Sequence, residues 1–143
     1  VLDGGADNDI LYGDAGNDFL SGGSGNDTLT GGTGDDSLKG GSGGDAFIFD
    51  AQAGHDIIAD ITDQDKLVFE GAQFNAKDMI FSEDADHNVV VSFKGAPDTS
   101  VTLEGVSMRD LNLDDNSKSN DGYSVTQSGD TVTLTVNPDN NNG

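Results

Sequence analysis

The sequence has no cysteine, no tryptophan, two prolines and six basic residues among its 143 residues. Without cysteine, disulfides, thiolate metal sites and cysteine nucleophiles are all excluded. No apolar run is long enough to cross a membrane, and nucleophile motifs, phosphate-binding loops and basic patches are also missing. The histidines, His55 and His87, have no partner at catalytic or zinc-ligand spacing, and we expect both on the surface. These absences predict a non-enzymatic chain with no membrane span.

Acidic residues dominate the charge of the chain. There are 27 acids against six bases, which gives a formal net charge of −21. Such an excess repels nucleic acid and anionic membrane surfaces, and it favours a polyanion that attracts cations. Composition of this kind is also typical of disordered chains, so composition alone leaves disorder open as an alternative.

A nine-residue repeat fills the first third of the chain. Every unit has Gly at position 1, Asp at position 6 and a large apolar residue at position 8. The five well-preserved units are GGADNDILY (4–12), GDAGNDFLS (13–21), GGSGNDTLT (22–30), GGTGDDSLK (31–39) and GGSGGDAFI (40–48). Their position-6 residues are Asp9, Asp18, Asp27, Asp36 and Asp45. Strict spacing of this kind predicts a repeat architecture and excludes a random acidic surface.

Two degenerate units continue the register after a two-residue insertion, Phe49-Asp50. The segment 51–59 keeps Asp56 at position 6, and the segment 60–68 keeps Asp65, although neither has glycine at positions 1 to 3. At the other end, Val1-Leu2-Asp3 fits the last three positions of a further unit, which predicts an array longer than this chain. We therefore predict a repeat domain over residues 1–68.

Each unit reads as a glycine-rich turn followed by a three-residue strand. Glycine permits positive φ and close backbone approach, and the apolar residue in the middle of each strand points inward. Two units make one circuit of a flattened coil, so that unit n stacks on unit n+2. The predicted inward residues are Leu11, Leu29 and Phe47 on one sheet, and Leu20, Leu38 and Ile58 on the other.

The composition of one unit indicates that burial alone does not hold the coil together. Each unit has one inward apolar residue, glycine loses much conformational entropy on ordering, and the aligned aspartates repel one another. We therefore expect folding to require a cation. Carboxylates and main-chain carbonyls are hard oxygen ligands, which suit calcium rather than zinc, and magnesium demands a tighter octahedral cage.

The units resemble the GGxGxDxUx nonapeptide of RTX proteins, the haemolysin-type calcium-binding repeat, over residues 4–48. The resemblance implies an all-β fold, a right-handed parallel β-roll, that binds about three to five calcium ions. It also implies that each ion lies between loops n and n+2. Its ligands would be both position-6 aspartates, carbonyls from positions 2 and 4 of the first loop, and carbonyls from positions 1 and 3 of the second.

Carried onto this sequence, the resemblance implies three sites with complete ligand sets. The first set is Asp9 and Asp27 with the carbonyls of Gly5, Asp7, Gly22 and Ser24. The second set is Asp18 and Asp36 with the carbonyls of Asp14, Gly16, Gly31 and Thr33. The third set is Asp27 and Asp45 with the carbonyls of Gly23, Gly25, Gly40 and Ser42. Asp7 and Asp14 replace family glycines, but as carbonyl ligands they are compatible with these sets.

Two further sites would pair Asp36 with Asp56 and Asp45 with Asp65. Because the degenerate units depart from the family pattern, three outcomes stay open for this end of the array. It has regular sites, or remodelled sites that use Asp60 or Asp63, or it is the closed end of the roll. Asp60 and Asp63 are otherwise expected to be solvated or turn residues.

A solenoid end exposes its core and needs a cap, and residues 69–106 are predicted to form a β-rich one. Alternating patterns at 87–93 and 100–103 predict a hairpin that buries the following residues: Val89, Val91, Phe93, Val101 and Leu103. Residues 74–81 fit a short helix or a loop equally well. This flank, including the preceding stretch DAFIFD…GHDIIADITDQDKLVF, resembles the segment that ends RTX arrays, which implies that it caps the roll and nucleates its folding.

The last part of the chain is more polar. Residues 107–121 are predicted to be a linker, residues 123–136 a second hairpin around Ser128-Gly129-Asp130, and residues 137–143 a disordered tail.

These observations predict a calcium-binding module of a secreted bacterial RTX protein. We expect it to fold on meeting extracellular calcium, and to support the folding, stability and type I secretion of its parent, with the type I secretion machinery as partner. The alternative is an accessory module that binds a polysaccharide or a cell surface for a secreted carbohydrate-active enzyme, protease or adhesin. Any catalytic domain of such a parent would lie upstream.

Overall fold

A computed structural model describes residues 1–108, 110–111 and 123–136 of the chain. The described residues are almost entirely strands and turns, and the one helical element in them is a 3₁₀ turn, Ala76–Asp78. Within this part of the chain, no helix has the length and apolar character to cross a membrane. The predicted all-β class is confirmed.

Eight short strands lie within the repeat region and its end. They are β1 (Leu2–Gly5), β2 (Ile10–Tyr12), β3 (Phe19–Ser24), β4 (Thr28–Thr30), β5 (Ser37–Ser42), β6 (Ala46–Phe49), β7 (Gly54–Ile58) and β8 (Lys66–Glu70). Five further strands come after them. They are β9 (Met79–Glu83), β10 (Val89–Phe93), β11 (Ala96–Leu103), β12 (Tyr123–Ser128) and β13 (Thr131–Val136).

The strands of the repeats alternate between two sheets, as a two-unit circuit requires, and within each sheet they pair in parallel. Sheet A has the order β1-β3-β5-β7-β11-β10-β9, and sheet B has the order β12-β13-β8-β6-β4-β2. In sheet A, Leu20 pairs with Leu38 and Leu38 with Ile58. In sheet B, Leu29 stands between Leu11 and Phe47 in the same way. The predicted stacking of unit n on unit n+2, a parallel β-solenoid, is therefore confirmed.

The core of the solenoid is thin, and its width is one inward residue from each sheet. Leu20, Leu29, Leu38, Phe47 and Ile58 are at most 1% exposed, whereas Leu11 in the first coil is only partly buried. The core therefore becomes more complete along the chain, from the first coil towards the last.

The later strands extend both sheets. In sheet A, β11 pairs in parallel with β7, and β10 and β9 follow in antiparallel order. In sheet B, the hairpin of β12 and β13 pairs with β8 in antiparallel order. The five residues predicted to be buried in the 89–103 hairpin are each at most 2% exposed. The core of the solenoid therefore runs without a break into the C-terminal strands.

Four phenylalanines, Phe49, Phe69, Phe74 and Phe93, form an aromatic cluster in this core. Phe69 lies 5.3 Å from Phe49, 5.4 Å from Phe74 and 4.7 Å from Phe93, between ring centroids. Ring pairs at such distances stabilise more than their buried area alone. Phe49 belongs to the insertion between units, so this insertion adds one ring to the cluster.

Two segments differ from the sequence-based expectations. The segment 74–81 is neither a regular helix nor a loop, since the 3₁₀ turn leads directly into β9. The predicted linker at 107–121 does not start as a free segment, because Leu111 is fully buried in the core. The rest of that linker, from 112, and the predicted disordered tail at 137–143 lie outside the described residues.

Candidate metal centre

The loops between strands depend on two residues with left-handed backbone conformation. In the third unit these are Gly23 and Gly25, with φ of 101° and 117°. The corresponding positions elsewhere include Asp7 and Asp14, whose φ values are 76° and 69°. Aspartate tolerates this region better than most side chains, so both departures from glycine keep the loop geometry of the other units.

The position-6 aspartates form two ladders, one on each edge of the roll. Along one edge, Asp27 Oδ1 accepts a hydrogen bond from the Asp9 amide at 2.8 Å, Asp45 from Asp27 at 2.9 Å, and Asp65 from Asp45 at 2.8 Å. Along the other edge, the Asp18 amide donates to Asp36 and the Asp36 amide to Asp56, both at 2.8 Å. Each side chain therefore reaches back to the loop one circuit earlier. Both degenerate units take part in the ladders.

The second oxygen of these carboxylates is buried and has no partner. This holds for the Oδ2 atoms of six residues: Asp9, Asp18, Asp27, Asp36, Asp45 and Asp56. Asp27, Asp36, Asp45 and Asp56 are each 1% exposed. A buried polar atom without a hydrogen bond is destabilising, and a buried unpaired charge is more so. The same atom lacks a partner in six successive units, so the free oxygen is a regular feature of the repeat.

The electrostatics of the ladders confirm how unfavourable these charges are. Burial raises the pKa of Asp56 to about 8 and that of Asp45 to about 6, and the like charges of neighbouring aspartates add to both shifts. Burial also raises the pKa of Asp36 and of Asp65 above the ordinary value. In each case the ladder hydrogen bond acts in the opposite direction, because a donated N–H favours the ionised form.

Main-chain carbonyls face the free carboxylate oxygens. A Cβ atom placed on Gly4 would lie 2.7 Å from Asp9 Oδ2 and 2.8 Å from the Gly22 carbonyl oxygen, so these two oxygens border the same small space. The equivalent space at Gly13 is bordered by Asp18 Oδ2 and the Gly31 oxygen, at 2.8 and 2.6 Å from that point. Position 1 therefore needs glycine because a side chain would fill the space.

The same arrangement recurs in the third predicted set, where Asp27 Oδ2 and the Gly40 oxygen both border the Cβ position of Gly22. The carbonyls at positions 2 and 4 point at the following loop of their own edge. A Cβ atom on the glycine of the following loop would overlap such a carbonyl in seven pairs: Gly5–Gly23, Asp7–Gly25, Asp14–Gly32, Gly16–Gly34, Gly23–Gly41, Gly25–Gly43 and Gly34–Gly54.

The position-3 carbonyls are less uniform. The Ser42 carbonyl accepts a hydrogen bond from the Gly25 amide at 3.1 Å. Ser24 ends β3, and Thr33 lies in the turn after β4. The structure thus brings the position-6 carboxylates together with the carbonyls of position 1. The carbonyls of positions 2 and 4 lie against the following loop of the same edge.

One of the two ladders closes at Asp65. Both the amide and the hydroxyl of Thr62 donate to Asp65 Oδ2, at 2.9 and 3.1 Å, so this oxygen is satisfied within its own loop. Asp60 accepts hydrogen bonds from the amides of Gly40 and Gly41, at 2.9 and 2.8 Å. Asp60 is therefore a half-buried residue in a bend, in line with the expectation of a turn residue, and its carboxylate also holds the backbone of the preceding loop. Asp63 is exposed.

Two further ladders, one on each edge, are made by the side chains at position 5, and sequence reasoning did not predict them. Asn8 Oδ1 accepts from the Asn26 amide at 2.7 Å, and Asn17 Oδ1 accepts from the Asp35 amide at 2.8 Å. The signal was present in the sequence, since each of the first four units has Asn or Asp at this position.

The donor set fits a hard cation. In the part of the chain that the structure describes, the single ion pair joins His87 to Glu83, far from the ladders in sequence, so no lysine or arginine neutralises the free Oδ2 atoms. No three His, Cys, Asp or Glu side chains converge on one point among these residues. A cation site here must therefore combine two carboxylates with main-chain carbonyls. Such an all-oxygen set suits calcium.

Comparison with known proteins agrees with this chemistry. The sequence model of the RTX calcium-binding nonapeptide repeat matches residues 1–29 and 21–58, with four copies. The matched region contains both ladders as far as Asp56. A comparison with curated proteins found no match.

Proposed function

We propose that the chain is a module whose folding is driven by calcium, starting from the match of residues 1–58 to the sequence model of the RTX calcium-binding nonapeptide repeat. The observation that carries the proposal is the row of buried, unpartnered Oδ2 atoms on each edge of the roll. Burial of each ionised carboxylate without a partner destabilises the fold, and a cation between two stacked loops would supply that partner. The role is structural and requires no catalytic residue.

The ions are assigned to the spaces between loops n and n+2. One row would use Asp9 with Asp27 and Asp27 with Asp45, and the other would use Asp18 with Asp36. The carbonyls of Gly22, Gly31 and Gly40, which face the free oxygens, would complete these sites together with the other carbonyls of the two loops. The pair Asp36–Asp56 would extend its row, since it keeps the ladder hydrogen bond and Asp56 Oδ2 is free. The pair Asp45–Asp65 also keeps the ladder hydrogen bond, but its row would end there because Thr62 already donates to Asp65 Oδ2.

Binding is coupled to folding because the sites exist only in the folded coil. The ligands of one ion come from residues about 18 apart, which the unfolded chain does not hold together. The free energy of calcium binding therefore appears as folding free energy. Extracellular calcium modules bind at about 10⁻⁴–10⁻³ M, so the chain would stay unfolded where calcium is scarce and fold outside the cell. Such a switch supports export through a type I secretion system as an unfolded chain.

The C-terminal strands supply the part of the module that needs no ion. The cluster of Phe49, Phe69, Phe74 and Phe93 continues the core of the last coils without any aspartate ladder. We propose that this region orders first and templates the adjacent coil, because a new coil added to an existing sheet gains hydrogen bonds that an isolated coil lacks. Folding would then spread from the last coil towards the first.

Isothermal titration calorimetry tests the assignment of ions to two rows. The double variant Asp18→Asn/Asp36→Asn removes carboxylates from one edge and leaves the other edge intact. We expect it to lose the ions of that row and to keep the ions of the row through Asp9, Asp27 and Asp45. Unchanged stoichiometry in the double variant, or no heat of calcium binding in the native chain, would contradict the proposal.

A further inference from the structure

The position-5 side chains form hydrogen bonds that the calcium sites do not account for. Asn26 Oδ1 accepts from the Gly44 amide at 2.9 Å, and Asp35 Oδ1 accepts from the His55 amide at 3.0 Å. Together with the bonds of Asn8 and Asn17, every position-5 side chain in the first four units reaches forward to the backbone of the loop one circuit later. These four residues are exposed, on the outside of the loops.

The direction of these bonds is opposite to that of the aspartate ladder. Asn8 accepts from the backbone of Asn26, whereas the neighbouring Asp27 accepts from the backbone of Asp9. Two successive loops therefore exchange a pair of hydrogen bonds through adjacent residues. We call this exchange the loop clamp. It recurs between 17–18 and 35–36, between 26–27 and 44–45, and between 35–36 and 55–56.

The clamp also touches the loop segment that carries the position-4 carbonyl. A Cβ atom on Gly43 would lie 3.0 Å from Asn26 Oδ1, and one on Gly34 would lie 3.1 Å from Asn17 Oδ1. The position-5 side chain thus lies against position 4 of the next loop. It fixes the spacing between the two loops that border one ion space.

We propose that Asn8, Asn17 and Asn26 are positioning residues that set the affinity and the size selectivity of the calcium sites without binding the ion. This inference rests on the proposed function. Selectivity between calcium and magnesium depends on cavity size, ligand number and flexibility. Two loops held apart at a fixed spacing favour the larger ion, and loops released from the clamp can contract around the smaller one.

The chain itself contains positions where the clamp is incomplete. Gly44 has no side chain to accept a bond from the backbone N–H of Gln64 one circuit later. That N–H donates instead to Thr62 Oγ1 within its own loop, at 3.3 Å. Asp35 shows that the acceptor oxygen matters more than the amide group, because its carboxylate makes the same bond as asparagine. Aspartate should therefore replace asparagine at position 5, and an apolar residue of similar size should not.

The test compares Asn26→Leu, Asn26→Asp and Gln64→Leu with the native chain. Gln64 is an exposed position-5 residue with no clamp bond from its side chain among the described residues, so Gln64→Leu is the matched control. Calcium and magnesium midpoints are measured by far-ultraviolet circular dichroism. Amide hydrogen exchange at Gly44 is followed in saturating calcium.

For Asn26→Leu we expect the calcium midpoint to rise about two- to tenfold, as loss of one hydrogen bond predicts, with a smaller ratio of magnesium to calcium midpoints and faster exchange at Gly44. Asn26→Asp should retain the native ratio, and Gln64→Leu should match the native chain. Equal effects of Asn26→Leu and Gln64→Leu, or an unchanged ratio in Asn26→Leu, would overturn the positioning role while calcium-driven folding stands. A native chain that does not respond to calcium would overturn both proposals.

Discussion

Asp27→Asn is the substitution that best separates the calcium-bound and calcium-free states. Asp27 is 1% exposed, its Oδ1 accepts from the Asp9 amide at 2.8 Å, and its Oδ2 has no partner. Asparagine keeps the size of the side chain and the oxygen acceptor. It removes the charge and places an NH₂ donor near the Gly40 carbonyl, which borders the same space.

The expected effect has opposite signs in the two states. In chelator the variant should be more stable than the native chain by about 1–3 kcal/mol, because an unsatisfied buried acceptor is gone. In calcium it should be weaker, since Asp27 is assigned to two ion sites. Loss of a residue outside the ligand shell already lowers metal affinity by about 10–100-fold, so loss of a charged ligand should raise the calcium midpoint by at least that factor.

The control is Asp9→Asn, which makes the same chemical change at a residue assigned to one site in this chain. Calcium midpoints come from far-ultraviolet circular dichroism. Stability in chelator comes from the concentration of a stabilising osmolyte that induces β-structure. The assignment is refuted if Asp9→Asn raises the calcium midpoint as much as Asp27→Asn, and the claim of an unfavourable free carboxylate is refuted if Asp27→Asn needs more osmolyte.

Three further predictions concern pH, the glycine cage and the aromatic cluster. In chelator, β-structure should increase as the pH falls from about 8 towards 4. The pKa values of Asp56 and Asp45 are higher in the folded state than in the unfolded state, so the folded state is favoured at low pH, where both groups are protonated, and this stabilisation is lost as the pH rises through the folded-state values. A β-structure signal in circular dichroism that increases with pH would contradict this. Gly22→Ala should weaken calcium-induced folding by about 1–3 kcal/mol, since its Cβ overlaps Asp27 Oδ2 and the Gly40 oxygen, and calorimetry should show native behaviour for Ser24→Ala. Phe69→Ala should lower the free energy of unfolding in saturating calcium by about 3–5 kcal/mol in urea titrations, whereas the half-exposed Ile80→Ala should change it by less than about 0.5 kcal/mol; similar losses in both variants would argue against a central role for the cluster.

The repeat part of the fold was predictable because its signal is periodic. Spacing of nine residues fixes the partners Leu20–Leu38 and Leu29–Phe47, and both pairs are in register in the structure. The glycine-rich half of each unit predicted backbone with positive φ, and Asp7 and Asp14 adopt the same conformation. A local pattern repeated several times leaves few alternative registers.

The parts that the sequence did not predict depend on contacts between distant segments. Nothing in the pattern at 96–103 indicates that β11 pairs in parallel with β7. The burial of Leu111 within a polar segment is another example, because one apolar residue carries no periodicity. At the candidate sites, the two hydrogen bonds to Asp60 and the closure of Asp65 by Thr62 replace the glycine pattern with side-chain chemistry.

The most direct measurement of the central claim is a calcium titration of the native chain, followed by far-ultraviolet circular dichroism from chelator to about 10 mM, which spans the range of extracellular calcium modules. The account predicts a disordered spectrum in chelator, a cooperative change to β-structure in calcium, and a much weaker response to magnesium. The same β-structure in chelator as in calcium would contradict it, because the buried carboxylates would then need no ion.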